Sequence, residues 1–350
     1  MFRRVVLARG APEALGYGSI HSVIEELLDK AKVSGWTKAA TVEDSSGSRS
    51  HSKNVARAVE ESQANLLHIT SQEDAYLVPN HSPVPVVVSV HDLYDQRPRA
   101  VDGGDVPVPL GDRFPSSAKA RRISSCREGM ERADLLLCSS EMTMEDARAM
   151  FPMTRSVLVR DSIDDSFWDP HRNPRSRSLL GDYGGEDKLL LVSVGEKDPR
   201  WRAQFVSEVM AMLPEEVRDD LQLFRIGTGK INWEKVAAAF QHSEAMLYPG
   251  VSVGFRSPPL EAMAAGCPVL ASDLPLHGEV LPPRCLLPAT DSDHWVSAIL
   301  EIHSEWVRAG GVPRHVDDEL LDLAKGSFGR SAHGVALSRA YEIACEKEKN

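Results

Sequence analysis

Residues 248–270 read YPGVSVGFRSPPLEAMAAGCPVL. A glycine-phenylalanine turn runs into Pro258 and Pro259, and Glu261 then opens an Ala/Met-rich segment. Proline is pre-set for the first helical positions, so the pair predicts a helix over 260–265 that begins at about Leu260–Glu261. A carboxylate in a first turn is stabilised by the helix dipole by ~0.3–1 kcal/mol, which is a purely structural use. The same carboxylate can accept two hydrogen bonds from a vicinal diol such as a ribose. Backbone N–H groups of the loop before it can hold phosphate or sugar oxygens. Glu261 alone does not choose between these uses.

Working outward, the tetrapeptide AMLY (245–248) is one of many short apolar runs. VVLA (5–8), LLHI (66–69), VPVVVSV (84–90), LLLC (135–138) and VLV (157–159) form a first series. LLLVSV (189–194), LQLFRI (221–226), AMLY and PVLA (268–271) form a second. Short apolar runs alternating with helical patterns predict buried parallel strands, hence two doubly wound α/β units. The stretch DPHRNPRSRSLLGDYGGED (169–187) has linker composition. The expected organisation is a Rossmann-like domain over 1–168, a linker over 169–187 and a second Rossmann-like domain over 188–330. A C-terminal helix over 331–350, with Ala332, Val335, Ala336, Leu337 and Ala340 at helical spacing, would pack back toward the first domain.

Composition narrows the function. The chain has 350 residues, enough for two domains, and a net charge of −11 that argues against a nucleic-acid surface. KARR (119–122) is a short basic run of the kind that usually faces solvent. The opening MFRRVVLARG has too short an apolar core for an export signal and reads as a strand. No run reaches the length of a membrane span. Five cysteines show no CxxC and no metal spacing, so free thiols in the cytoplasm and no metal site are expected.

Open α/β sheets bind ligands beyond the carboxyl ends of their strands. After the first strand, LGYGSIHSVIEELL (15–28) offers Gly16 and Gly18 before a helix, which suits a phosphate but equally an empty turn. It lacks the third glycine and the ribose-binding acid of a nicotinamide fingerprint. His91 follows VPVVVSV and can reach a sugar hydroxyl, or simply cap a turn with Asp92. GEKDPRWRAQF (195–205) places Lys197 and Arg202 near a helix start, as a diphosphate site or as a solvated basic loop.

The order of these features resembles the family-4 retaining glycosyltransferases, which have the GT-B fold. The family pattern Pro-Ser-x-x-Glu-Gly-Phe-Gly followed by Pro-x-Leu-Glu-Ala-Met-Ala-x-Gly-x-Pro-Val is similar to residues 248–270. SVHDLYD (89–95), LLLCSSEMTMEDARAMFP (135–152), VLVRDSIDDSFWDP (157–170), LLLVSVGEKDPRW and LFRIGTGK follow in the family's order. The resemblance covers roughly residues 1–345. It implies two facing Rossmann-like domains with a cleft between them. It also implies a metal-independent, cofactor-free transfer of a sugar, with retention, from a nucleotide-diphosphate donor to an acceptor hydroxyl. The acceptor itself is open; the absence of a membrane segment or a basic amphipathic surface helix favours a small soluble acceptor over a lipid.

Residue by residue, the resemblance implies that Glu261 holds the ribose. Gly254, Phe255, Arg256 and Ser257 would present backbone amides to the diphosphate and sugar. Lys197 and Arg202 would neutralise the diphosphate, Gly18 would let the first loop approach it, and His91 would contact the donor sugar as the catalytic histidine. Three departures stand out. The first glutamate of the family's Glu-x7-Glu is Val253, which makes one wall of the sugar site apolar; the expectation is a donor that lacks a hydroxyl there or presents a different group, or else a protein whose activity is reduced or lost and that only binds. The second glycine of Gly-Phe-Gly is Arg256. The family's Arg-x4-Lys pair aligns with Glu196 and Trp201, so Lys197 and Arg202 match only after a shift of one residue. The alternatives are a non-catalytic nucleotide-sugar-binding or scaffold protein of the same fold, and a GT-B sugar epimerase or phosphorylase.

Overall fold

The computed structural model describes residues 2–10, 20–43, 51–101, 107–185, 187–195, 199–227, 232–251, 258–312 and 314–346. Contacts divide the chain into two compact units. One comprises residues 1–99, 111–162 and 330–350, and the other residues 100–110 and 163–329.

The first unit opens with β1 (Arg3–Arg9), α1 (Ile20–Asp29), β2 (Trp36–Glu43), α2 (His51–Glu61) and β3 (Leu66–Ile69). After β4 (Val86–Val90) the chain passes through the short strands β5 (Arg99–Val101) and β6 (Val108–Leu110), which belong to the second unit apart from Arg99, and then re-enters the first unit. Then follow α3 (Ser117–Arg132), β7 (Leu135–Cys138), α4 (Glu141–Met150) and β8 (Arg155–Leu158). The sheet runs β2-β1-β3-β4-β7-β8 and is parallel throughout. Its inner strands β3, β4 and β7 are buried on both faces, which is why they read as apolar runs. Val6, Ala8, Leu67 and Ile69 pack on one face, and Val5, Leu7, Leu66 and Leu137 on the other, as the two-residue period of a strand requires. Ser140 starts α4 by accepting the Thr143 N–H at 3.0 Å.

The second unit contains α5 (Asp165–Trp168), β9 (Leu189–Val194), α6 (Ala203–Met212), α7 (Glu215–Asp220), β10 (Leu221–Ile226) and α8 (Trp233–His242). These are followed by β11 (Ala245–Tyr248), α9 (Pro258–Ala264), β12 (Val269–Ser272) and α10 (Pro275–Gly278). It ends with β13 (Leu286–Leu287), α11 (Ser292–Arg308) and α12 (Asp318–Phe328). Its parallel sheet runs β10-β9-β11-β12-β13. Leu191 and Leu247 meet Val209, Trp295 and Ile299 in the core. Residues 169–187, expected as a linker, lie inside this unit. Leu180 is fully buried in a short 3₁₀ turn, and Tyr183 packs edge-on against Phe224. Buried Asp169 holds Lys325 at 3.0 Å.

The chain then returns to the first unit as α13 (Arg330–Cys345). Leu337, Ala340, Tyr341 and Ala344, at i, i+3, i+4 and i+7, enter the core beside Val5, Leu7 and Trp36. Tyr341 stacks edge-on against Trp36 and bonds His68 Nδ1 at 2.8 Å.

In both sheets the strand order reverses beside the first strand of the unit, between β1 and β3 and between β9 and β11. Such reversals open a crevice at the carboxyl ends, where ligands of open α/β sheets bind.

Candidate functional site

In the second unit, β9 and β11 end on loops that are tied to each other. Gly195 has φ +83°, and a Cβ there would strike the Trp201 ring at 2.5 Å. Glycine is therefore required for Trp201 to lie against the end of β9. Trp201 in turn stacks edge-on against Tyr248, the last residue of β11. The Val251 N–H donates to the Arg200 carbonyl at 3.0 Å. Arg202, in the left-handed region at φ 52°, turns its guanidinium inward and starts α6. Its Nη1 donates to the carbonyls of Pro249 (3.2 Å) and Ala289 (2.6 Å), and its cation lies over the Phe205 ring.

Arg202 is 8% exposed. The sequence suggested a diphosphate-neutralising cation. The structure shows a buried arginine engaged with backbone carbonyls, one of which leads into the loop 249–257. It holds Pro249, the first residue of that loop. Glu261 stands where the sequence placed it, in the first turn of α9, half-buried between buried Leu260 and Ala262. The helix starts at Pro258, two residues earlier than expected, because both prolines fit its first turn. Lys197, Val253, Gly254, Phe255, Arg256 and Ser257 lie outside the described residues, as does Gly18 in the first unit.

In the first unit the carboxyl ends of β3, β4, β7 and β8 converge on His91. Its backbone N–H donates to Gln72 Oε1 at 3.0 Å, and its carbonyl accepts from Ser139 Oγ at 2.9 Å and Thr143 Oγ1 at 3.3 Å. Its ring lies between two acceptors, with Nδ1 3.2 Å from Asp161 Oδ2 and Nε2 3.2 Å from the Thr70 carbonyl. Neither a carboxylate nor a carbonyl can donate, so both ring nitrogens must carry protons to make both bonds. Burial alone would lower the His91 pKa. The charge and hydrogen bond of Asp161, with the Thr70 carbonyl and Asp92, outweigh it and raise the pKa above the ordinary value. The geometry thus favours an imidazolium. A contact from either nitrogen to a donor sugar requires one of these bonds to be exchanged.

Sequence reasoning missed Asp161, Thr70 and Gln72. Asp161 lies inside the quoted VLVRDSIDDSFWDP, but nothing local tied it to a histidine 70 positions earlier. A further anchor sits at the end of β1, where the buried Asp74 carboxylate accepts the Gly10 N–H at 2.7 Å.

Two more histidines lie beside this hub. His21 Nδ1 meets Thr70 Oγ1 at 2.9 Å, and His68 bridges Tyr341 and Ser89. Burial pushes His21 down to about 4 and His68 down to about 3. Both are neutral when folded and regain an ordinary pKa near 6.5 when unfolded. Their stabilising share is therefore complete above about pH 6.5 and declines as pH falls toward their folded values. For His21 the loss between pH 7 and pH 4 is roughly 3 kcal/mol. In urea titrations, the stability gap between the wild type and His21→Asn should change by about that amount over this range. An unchanged gap would show that His21 is not held neutral.

All five cysteines are free thiols, four of them buried. Among the described residues, no helix is long and apolar enough to cross a membrane.

Residues 186–305 match the family model described as "Glycosyl transferases group 1". That match covers about a third of the chain. Among curated proteins, the O-antigen chain mannosyltransferase RfbU of Salmonella typhimurium is 35% identical over 134 residues, which is 38% of this chain and 35% of that protein. The chain thus spans about a third of the length of the curated relative it matches. Among solved structures, sucrose-phosphate synthase of Thermosynechococcus elongatus has a TM-score of 0.67 at 14% identity, covering 97% of this chain and 98% of that one. Anabaena Alr3699/HepE in complex with UDP-glucose has a TM-score of 0.63 at 10% identity, covering 95% and 97%. These likenesses establish the GT-B fold, with its two Rossmann-like domains.

Proposed function

We propose that this glycosyltransferase-domain protein is an active, retaining enzyme of the cytoplasm. It moves a sugar from a nucleotide-diphosphate donor to a hydroxyl of a small soluble acceptor, without a metal or other cofactor. The observation that carries the reading is the position of Glu261. It follows β11 at the point where the strand order reverses, in the first turn of α9, inside the segment that matches the glycosyltransferase domain. A carboxylate there can receive both hydroxyls of a ribose.

In this reading the amides of residues 254–257 and the Lys197 ammonium meet the diphosphate, and Gly18 lets the first loop approach it. Arg202 fixes the start of the 249–257 loop through the Pro249 carbonyl. His91 supplies a positive charge at the carboxyl end of β4. Held by Asp161 and Thr70, it is not available as a general base. Deprotonation of the acceptor falls to the departing phosphate, and rate enhancement comes from positioning and electrostatic stabilisation of that leaving group. A relative named as a mannosyltransferase and a neighbour solved with UDP-glucose make nucleotide hexoses the first donors to examine.

Thermal-shift profiling of nucleoside diphosphates and nucleotide sugars tests the proposal. A true donor at a hundredfold excess over its Kd should stabilise the protein by about 2.7 kcal/mol. Failure of every nucleoside diphosphate to raise the Tm would contradict it.

A further inference from the structure

The first unit contains a cavity of about 230 Å³ one residue beyond His91. The segment Asp92–Gln96 after β4, the turn at Gln72–Glu73 after β3 and one face of α3 enclose it. Lys119, Arg122, Ile123 and Cys126 of α3 are spaced i, i+3, i+4 and i+7, so they share that face. What brings α3 so close is Gly129, where any Cβ would collide with the Ala75 carbonyl. Cys126 closes the contact by donating its thiol to the Glu73 carbonyl at 3.1 Å.

The wall carries charge of both signs, and both cations have partners within the unit. Lys119 is 3.0 Å from Asp95 and 3.6 Å from Asp112. Arg122 is 3.7 Å from Asp74, donates to the Glu73 carbonyl and lies over the Tyr76 ring. Glu73, Asp92 and Asp95 against Lys119 and Arg122 leave a balance of three negative and two positive side chains. Such a wall exerts little net pull on an ion. It offers many oxygen acceptors interleaved with N–H donors, which suits hydroxyls because each can donate and accept. Leu93 and Ile123 add an apolar surface for C–H groups. The volume is below the roughly 300–1,000 Å³ of sites for drug-sized ligands, so the occupant is a single small ring or short polyol. The larger groove of about 950 Å³ lies at the amino ends of β4 and β7, away from His91.

We propose that this cavity is the acceptor site and that it takes a neutral polyhydroxylated molecule of monosaccharide size. The acceptor role rests on the glycosyltransferase reading above; the polyol-binding chemistry does not. Saturation-transfer NMR on the full chain, with methyl α-glucoside, methyl α-mannoside and myo-inositol as probes and glucose 6-phosphate as the charged comparator, tests the chemistry. At least one neutral probe should bind, and more tightly than the phosphate. Ile123→Trp, which fills the cavity, and Glu73→Ala, a milder change at an exposed position, should each weaken that probe at least tenfold. Nucleotide-induced stabilisation should remain in both variants.

Transfer to the binding probe should then appear as a new glycoside, with yield falling at least tenfold in Ile123→Trp. If no neutral probe binds, or binding survives both substitutions, the cavity is not a polyol site. If a probe binds but accepts no sugar while nucleotide stabilisation is intact, its acceptor role is overturned. Loss of nucleotide stabilisation in the wild type instead removes the glycosyltransferase reading and leaves the polyol site standing.

Discussion

Glu261→Ala is expected to lower kcat/KM for the nucleotide-sugar donor roughly 100-fold, measured as donor hydrolysis. The effect should fall mainly on donor KM. Hydrogen bonds to a charged group contribute about 1.5–3 kcal/mol each, and a loss of about 2.7 kcal/mol corresponds to two powers of ten. Glu261→Gln keeps the shape and one acceptor oxygen, so a smaller loss is expected. Stability provides the control. The helix-dipole share of the carboxylate is ~0.3–1 kcal/mol, and the Tm of each variant separates a structural loss from a loss of donor binding. Unaltered donor kinetics in Glu261→Ala would reduce this residue to a helix-start charge. Equal loss of donor and unrelated stability would make it a structural residue.

Asp161→Ala carries the second large effect, here on stability. Asp161 is 5% exposed and faces the His91 imidazolium. Removing one member of a buried pair leaves the other charge uncompensated, typically at a cost of about 3–5 kcal/mol. A figure near the lower end is expected, because His91 remains 19% exposed. The pH dependence has a definite sign. The His91 pKa is raised on folding, so the pair's contribution is complete below about pH 6.5 and is lost as pH rises through the folded value. The stability deficit of the variant should therefore shrink in alkaline buffer. In ¹⁵N NMR, both His91 nitrogens should be protonated in the wild type near neutral pH, with a lower titration midpoint in Asp161→Asn. A constant deficit across pH, or a neutral His91 at pH 6, would rule out the imidazolium.

The fold was readable wherever both faces of a strand are buried. LLHI, LLLC, LLLVSV and AMLY are strands with the predicted bounds, since parallel strands covered on both sides leave uninterrupted apolar runs. Strand β2, WTKAATVE, escaped because it lies at the sheet edge, half-exposed and interspersed with polar residues. The packing of residues 169–187 was hidden for a related reason. Pro, Gly and Arg in 169–187 gave no sign that Leu180 is buried and that Asp169 binds a lysine 156 positions later.

In the site, Glu261 was legible because its evidence is local: a strand, a constrained loop, two prolines and a first turn. The partners of His91 were not, since Thr70, Gln72 and Asp161 reach it only through the stacking order of β3, β4 and β8. The burial of Arg202 was not legible either. Sequence shows charge but not burial, and the left-handed backbone that turns this side chain inward has no signal in an arginine.

A crystal structure with a bound nucleoside diphosphate tests the central claim most directly. The account predicts the ribose hydroxyls within hydrogen-bonding distance of the Glu261 carboxylate, with the diphosphate against residues 254–257. A nucleotide bound elsewhere, with the Glu261 side chain in solvent, would contradict it.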